Sequence, residues 1–535
     1  MLGLPELDDT ICRHLSRRDL VQCARVSRKW HEAVIPYLWN DLKCIASRVL
    51  EKQMAFRWVV AQDYIAQERH TLEQLPVFVS ALTKYGPWIR ELPEPKSLLR
   101  CLQLSSAHKA GKGPTAHNLL RHLYKRCPAV KGHHLTLNIE DLDSVDTFKM
   151  IAESILPHTS HLHITSSSSN ALLKARNIKY LLGQCSSELT MLTIDIDVKI
   201  ESYDHEWQRQ DEESNPWMLL KQLRLWDSGN NCDSEAFWSW LLKRCVQVEG
   251  LEIDKNTGIP DSFAEGMLNH MSNLRVIRLG IRWLLISDDQ IATILSGSRH
   301  GWKVVELKNA VNFGEASRNA LSKHSSTLER LHVEGCKGFK SHDTMQMLKS
   351  CPNLHALVDH YTIYMAGEKY RCVDANVFID RDPKTGILNH WQCETTLREL
   401  SITILGVPGR DAKQGLEFQG QVYGRLARLT NLEILTLGNI RQTATASGPD
   451  LVLIDCLEMS LESGLWMLSG LKSLKELGVI CMKSRIGVEE VQWMAKHWPR
   501  LRVISGLNKR YGGERAEEAT KWLQQQHREI EVKKN

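Results

Sequence analysis

Pairs of aliphatic residues, two positions apart, recur at nearly constant distance through the middle of the chain: Leu223/Leu225, Leu251/Ile253, Ile277/Leu279, Val305/Leu307 and Leu331/Val333. The steps alternate between about 28 and 26 residues. A self-similar period of about 20–50 residues is the mark of a stacked-repeat architecture, because one such unit cannot bury its apolar face alone. Side chains two apart share one face of a strand, so each pair predicts a short strand with inward aliphatic residues. The surrounding unit reads Leu-x-x-Leu-x-Leu, as in "NLRVIRL", "TLERLHV", "NLEILTL" and "SLKELGV", with looser copies such as "LLKQLRL", "NLHALVD" and "TLRELSI".

Between these strands the spacing changes to that of a helix. "EAFWSWLLKRC" places Phe237, Trp238, Leu241, Leu242 and Cys245 along one face, and "SDDQIATIL" opens with a Ser287…Gln290 capping box before Ile291, Ile294 and Leu295. Strand–helix units stacked in this way predict an α/β fold: a curved solenoid with a parallel sheet on its concave face and helices on its convex face. The array begins near residue 80. After Leu357 the steps lengthen to about 43, 35 and 42 residues. The extra length falls in "MAGEKYRCVDANVFIDRDPKTGILNHW", "GVPGRDAKQGLEFQG" and "RQTATASGPD", which are expected to be loops.

Composition narrows the function. Sixty-eight Lys and Arg against 63 Asp and Glu leave a net charge of +5, too close to balance to imply nucleic-acid or membrane binding. The start, "MLGLPELDD", lacks the basic-then-apolar pattern of a secretory signal, and no apolar run approaches the roughly 20 residues that span a bilayer. None of the 14 cysteines forms a C-x-x-C pair, so they read as reduced core thiols in a cytoplasmic or nuclear protein.

No catalytic set emerges. "HEAVI" at His31 has Ile35 where a zinc-protease motif needs its second histidine, and "AGKGPT" around Gly111 lacks most of a phosphate loop. His133 and His134 are adjacent without further ligands. Asp195 and Asp197 are expected to share a strand face as solvated acids. The open surface of the sheet is then the candidate binding surface. The residues expected there are Arg224, Trp226, Glu252, Asp254, Arg278, Glu306, Lys308, His332 and Glu334, a mixed-charge set with the tryptophan and arginine that interface hot spots favour.

The first forty residues pose a separate question. Leu7, Ile11 and Leu15 make one helical stripe; Ser16 and Asp19 suggest a capping box that starts a second helix near Arg17; Trp30, Ala33 and Val34 suggest a third, ending near Pro36. So short a segment cannot fold stably alone. It is either a cap on the following domain or leans on a partner.

The residues Leu4-Pro5, Glu6-Leu7, Ile11, Leu15, Asp19-Leu20, Val26, Trp30 and Leu38-Trp39 resemble an F-box in register, save that no residue separates the proline from the glutamate. That resemblance implies docking on a Skp-type adaptor joined to a cullin–RING scaffold, through Leu4, Pro5, Leu7, Ile11, Leu15, Leu20, Val26, Trp30, Leu38 and Trp39. Some of these must instead hold the helices together. The repeats, with cysteines at several helix ends (Cys127, Cys245, Cys351) and in "LHVEGC", resemble the cysteine-containing leucine-rich repeat. Together the two parts resemble F-box leucine-rich-repeat proteins, particularly the large fungal groups. The resemblance implies a substrate-recognition subunit of an SCF-type ubiquitin ligase, with a protein substrate, no cofactor and no metal. The alternative is an interaction scaffold that uses the F-box for assembly only. The expected division is an F-box at 1–42, a helical connector at 43–79, the repeat solenoid at 80–509 and a charged helix or tail at 510–535.

Overall fold

The computed structural model describes residues 133–138, 156–165, 172–185, 187–195, 197–199, 216–227, 235–255, 261–280, 286–359, 372–409, 411–438, 455–482, 484–507 and 509–533, with isolated positions before residue 154. The chain forms two compact units, Met1–Phe237 and Trp238–Asn535.

In the first unit, parallel strands follow one another in chain order: β1 (His133–Asn138), β2 (Thr159–Thr165), β4 (Met191–Asp195) and β6 (Gln222–Asp227). The register aligns Leu135, Leu162, Leu192 and Leu223 in one row and Leu137, Ile164, Ile194 and Leu225 in the next. All eight are buried. A side pair, β3 (Leu172–Lys174) with β5 (Asp197–Lys199), flanks helix α1 (Ala175–Gly183). Asp195 and Asp197 therefore do not share a strand face: β4 ends at Asp195, and Asp197 opens β5 on a different partner.

The second unit repeats the scheme through β7 (Gly250–Lys255), β8 (Val276–Leu279), β9 (Val304–Leu307), β10 (Arg330–His332), β11 (Ala356–Asp359), β13 (Glu399–Ile402), β15 (Ile434–Leu437), β16 (Glu476–Gly478), β17 (Val503–Ser505) and β18 (Glu531–Lys533). Each pairs in parallel with the next. Leu251, Ile277, Val305, Leu331, Leu357, Leu400, Leu435, Leu477 and Ile504 form one unbroken inward row, all buried. Burying a leucine contributes about 1.5–3 kcal/mol, so this row is a main stabiliser of the array. Asp359 takes an inward place in β11, and one oxygen of its carboxylate accepts a hydrogen bond from buried Thr344 at 2.7 Å.

Helices connect the strands: α2 (Glu235–Arg244), α3 (Asp261–His270), α4 (Asp288–Ser296), α5 (Glu315–Ser322), α6 (Ser341–Ser350), α7 (Ala375–Ile379), α8 (Gly415–Ala427), α9 (Val488–His497) and α10 (Lys509–Gln526). The capping box expected at α4 is present: the Gln290 amide donates to Ser287 Oγ at 3.2 Å, and the Ser287 amide donates to Gln290 Oε1 at 2.8 Å. We expect Ser287→Ala to cost about 1 kcal/mol in chemical denaturation, with Ser287→Gly nearer neutral. Trp238, Leu241, Leu242 and Cys245 of the α2 segment are buried as their spacing requires, and Trp240 is buried with them.

The structure extends two of the expected boundaries. The first long insertion is not wholly a loop. It contains β12 (Val373–Asp374), which pairs with β14 (Ile404–Leu405) beyond β13, then α7, then a turn closed by an Arg381–Leu388 bridge. Of the charged helix or tail expected at 510–535, the helix is present as α10, which packs on α9, and β18 beyond it adds to β17. No helix among the described residues is long and apolar enough to cross a membrane.

Candidate functional site

In a strand whose inward positions hold the leucine rows, the intervening side chains face away from the helices. In the second unit these side chains form a charged ladder. Glu252 of β7 stands opposite Arg278 of β8, and Arg278 stands opposite Glu306 of β9. Arg278 Nε lies 3.2 Å from one oxygen of Glu306, whose other oxygen lies 3.6 Å from Arg330 Nε. Arg330 then reaches across β11, where small Ala356 is its register partner, to Glu399 on β13 at 3.0 Å. The side chains of Arg278 and Arg330 are 40% and 39% exposed. Each exposed pair contributes at most about 1 kcal/mol to stability, so the ladder does more to fix the order of charges on the surface than to hold the fold.

Most expected positions are on this face. Lys308 is half-buried just past β9, and Asp254 is exposed. His332 lies 3.2 Å from Glu334. Glu334 departs from the expectation of an outward side chain: it is 7% exposed. The strand there has only three residues, Arg330–His332, and the chain turns at Gly335 with φ +69, so strand alternation no longer governs position 334. Arg330 and Glu399, which complete the ladder, were not singled out by sequence. Their signal is the same alternation carried back to the first residue of each strand.

In the first unit, Arg224 and Trp226 of β6 stand opposite Thr193 and Asp195 of β4. Trp226 meets the edge of His163 at 6.3 Å between ring centres. Its indole nitrogen is buried and has no hydrogen-bond partner. His163 lies 4.0 Å from Asp195.

Of the N-terminal set, Leu15 and Leu20 are among the described residues. Leu15 is partly exposed; Leu20 is helical and 5% exposed, alongside a helical and wholly buried Val34. Leu20 is thus buried within the lone chain, and Leu15 is not. Asp19, Gln22 and Cys23 are helical too, in keeping with a helix starting near Arg17. Leu4, Pro5, Leu7, Ile11, Val26, Trp30, Leu38 and Trp39 lie outside the described residues, as do His31 and Gly111.

Chemistry at the thiols is suppressed. Burial pushes Cys351 up to about 11, Cys185 and Cys393 up to about 12, and Cys245 higher still, so each stays protonated and weakly nucleophilic at neutral pH. Among the described residues no group of three or more His, Cys, Asp or Glu is placed to hold a metal ion.

Residues 6–45 match the F-box-like family. No curated protein matches the chain. Among solved structures, the crystal structure of the Rad7 and Elc1 complex in yeast matches with TM-score 0.40 and 14% identity, over 89% of this chain and 98% of that one. A Bacteroides fragilis protein matches with TM-score 0.25 and 13% identity, over 42% of this chain and 63% of that one. Residues 6–45 thus carry an F-box-like domain, and parallel strands alternating with helices follow it along the chain.

Proposed function

We propose that this protein is the substrate-recognition subunit of an SCF-type cullin–RING ubiquitin ligase, working in the cytoplasm or nucleus. The observation that carries the reading is the F-box-like segment at residues 6–45, joined in one chain to a repeat array whose open face presents ordered charges. The F-box docks on a Skp-type adaptor, and the open face holds a protein substrate. Catalysis comes from the associated conjugating enzyme: a substrate lysine held beside it reacts as though at high effective concentration. The receptor contributes no catalytic residue.

The test is reconstitution. The full-length chain is expected to co-purify with the adaptor, and a Leu7→Ala, Ile11→Ala, Trp30→Ala variant of unchanged circular dichroism is expected to lose it. Retained binding by that variant would refute the docking assignment. Adaptor and cullin binding without ubiquitin transfer, autoubiquitination included, would leave a scaffold in place of a ligase subunit.

A further inference from the structure

From β13 to the last strand the open face changes character. The register sets Glu399, Ile434, Glu476, Val503 and Glu531 opposite one another in a single row, one residue from each of β13, β15, β16, β17 and β18. Acid and aliphatic side chains therefore alternate from strand to strand. The row lies one position before the buried Leu400–Leu435–Leu477–Ile504 row, so it points to the open face. Ile434, Glu476 and Val503 are half-buried and Glu531 is exposed. The next row on the same face, Ser401, Thr436 and Gly478, is buried, so the accessible side chains run in one narrow line.

Glu399 already meets Arg330 at 3.0 Å, but Glu476 and Glu531 have no ion-pair partner among the described residues. The cations one position before the strands are engaged elsewhere. Arg398, at 3.5 Å, and Lys475, through a hydrogen bond, both turn to Glu433, and the charge of Arg502 acts on Glu529. Lys533 shares the face with Glu531 at the far end of the line. Two open carboxylates with an aliphatic side chain before each of them suit Lys or Arg, whose charged heads need an acid and whose methylene stems need apolar cover.

The spacing selects the conformation of the occupant. Neighbouring strands lie about 4.8 Å apart, so carboxylates on alternate strands of the row repeat at about 9.6 Å. A polyproline II segment rises about 3.1 Å per residue and returns to the same face every third residue, at about 9.3 Å. An α-helix repeats a face over seven residues at about 10.5 Å and drifts off the row by the third carboxylate.

We propose that this row is a track for an extended basic segment with Lys or Arg at every third residue, its chain crossing the strands at right angles. The track gives the open face a substrate class, and it rests on the receptor reading above only in calling that segment a substrate.

Fluorescence anisotropy of the full-length chain with a labelled nine-residue peptide, Lys-Pro-Ala repeated three times, tests the track. Saturable binding that weakens with added salt is expected. A peptide of the same composition with its three lysines adjacent should bind several-fold more weakly. Glu476→Gln combined with Glu531→Gln should weaken the spaced peptide about fivefold, since it removes two exposed charge pairs. Glu514→Gln combined with Glu518→Gln removes the same charge from exposed positions of α10 and should leave the affinity unchanged. No saturable binding, equal affinities for the two peptides, or equal losses from the two double variants would overturn the track. Adaptor co-purification is read on the same protein. A chain that keeps the adaptor but not the peptide loses this inference alone, and one that binds the peptide but not the adaptor loses the receptor reading alone.

Discussion

Replacing Arg425 with methionine is expected to destabilise the second unit by about 3–5 kcal/mol, as removing one member of a buried charge network does. Arg425 sits in α8 with a fully buried side chain. All five of its N–H groups are engaged: Nε and Nη2 donate to the Ile379 carbonyl at 3.1 and 2.8 Å, Nη2 to Asp380 at 2.8 Å, and Nη1 to Asn389 at 2.6 Å and to Glu394 at 3.4 Å. The guanidinium also stacks 4.5 Å from the Trp391 ring. Burial pulls its pKa down to about 10, against the opposing charges of Asp380 and Glu394, which still leaves it charged at neutral pH.

The carbonyls it gathers belong to both stems of the turn bridged between Arg381 and Leu388. One side chain therefore ties the insertion to the neighbouring repeat. Methionine would leave those acceptors buried and unmatched. Lysine would keep the charge but has no planar fork to reach both stems, so Arg425→Lys should lose nearly as much. Arg428→Ala is the control: that side chain is 34% exposed, and its loss should cost no more than about 1 kcal/mol. Urea denaturation measures the difference, and hydrogen exchange across residues 380–394 locates it. A loss below about 1 kcal/mol for Arg425→Met would mean that water replaces the guanidinium and that the turn is held by Trp391 packing alone.

The contrast between Arg425 and the leucine rows shows what a sequence of this kind makes legible. The rows were readable because each aliphatic pair is local, two residues apart, and its recurrence at a steady step is visible without any contact being known. The Ser287–Gln290 box was readable for the same reason, since it closes within four residues. Arg425 meets Ile379 across 46 positions, and Arg330 meets Glu399 across an insertion of irregular length. No period points to either partner. The candidate surface was half legible: alternation found Arg278, Glu306 and His332, but misplaced Glu334 because a three-residue strand gives alternation nothing to act on beyond its end. The final strand, Glu531–Lys533, was hidden for a related reason. Its sequence, "EVK", carries one valine with Lys534 rather than a second aliphatic residue two positions on, so its place in the sheet follows from pairing with β17 and not from its own pattern.

Asp288→Ala is expected to destabilise by about 2–3 kcal/mol at neutral pH, although position 288 is a partly exposed residue in the first turn of α4. Helix α5 begins after Gly314, which has no side chain with which to cap it. Asp288 of the preceding repeat supplies the cap. Its carboxylate accepts the amides of Gly314 at 2.7 Å and of Ala316 and Ser317 at 3.0 Å, together with the buried Ser317 hydroxyl. Glycine is needed at 314 because a Cβ there would collide with that carboxylate. Partial burial acts to raise the Asp288 pKa, but the bonds from Ser317, Gly314 and Ala316 outweigh it and hold the group below the usual carboxylate value.

A folded-state pKa below the unfolded one gives stability that is fully present above the unfolded value, about 3.9, and is lost as the pH falls through the folded value. The wild-type advantage over Asp288→Ala should therefore be level near pH 7 and shrink in acid below about pH 4. Asp288→Asn keeps one oxygen acceptor without the charge and should fall between the two, with no such acid-dependent loss. Ser317→Ala should remove part of the same energy, and the double variant with Asp288→Ala should lose less than the sum, because the two groups share one bond. An acid-independent gap between wild type and Asp288→Ala would mean that the neutral acid caps α5 as well as the carboxylate does. The coupling between repeats would then be one of shape rather than of charge.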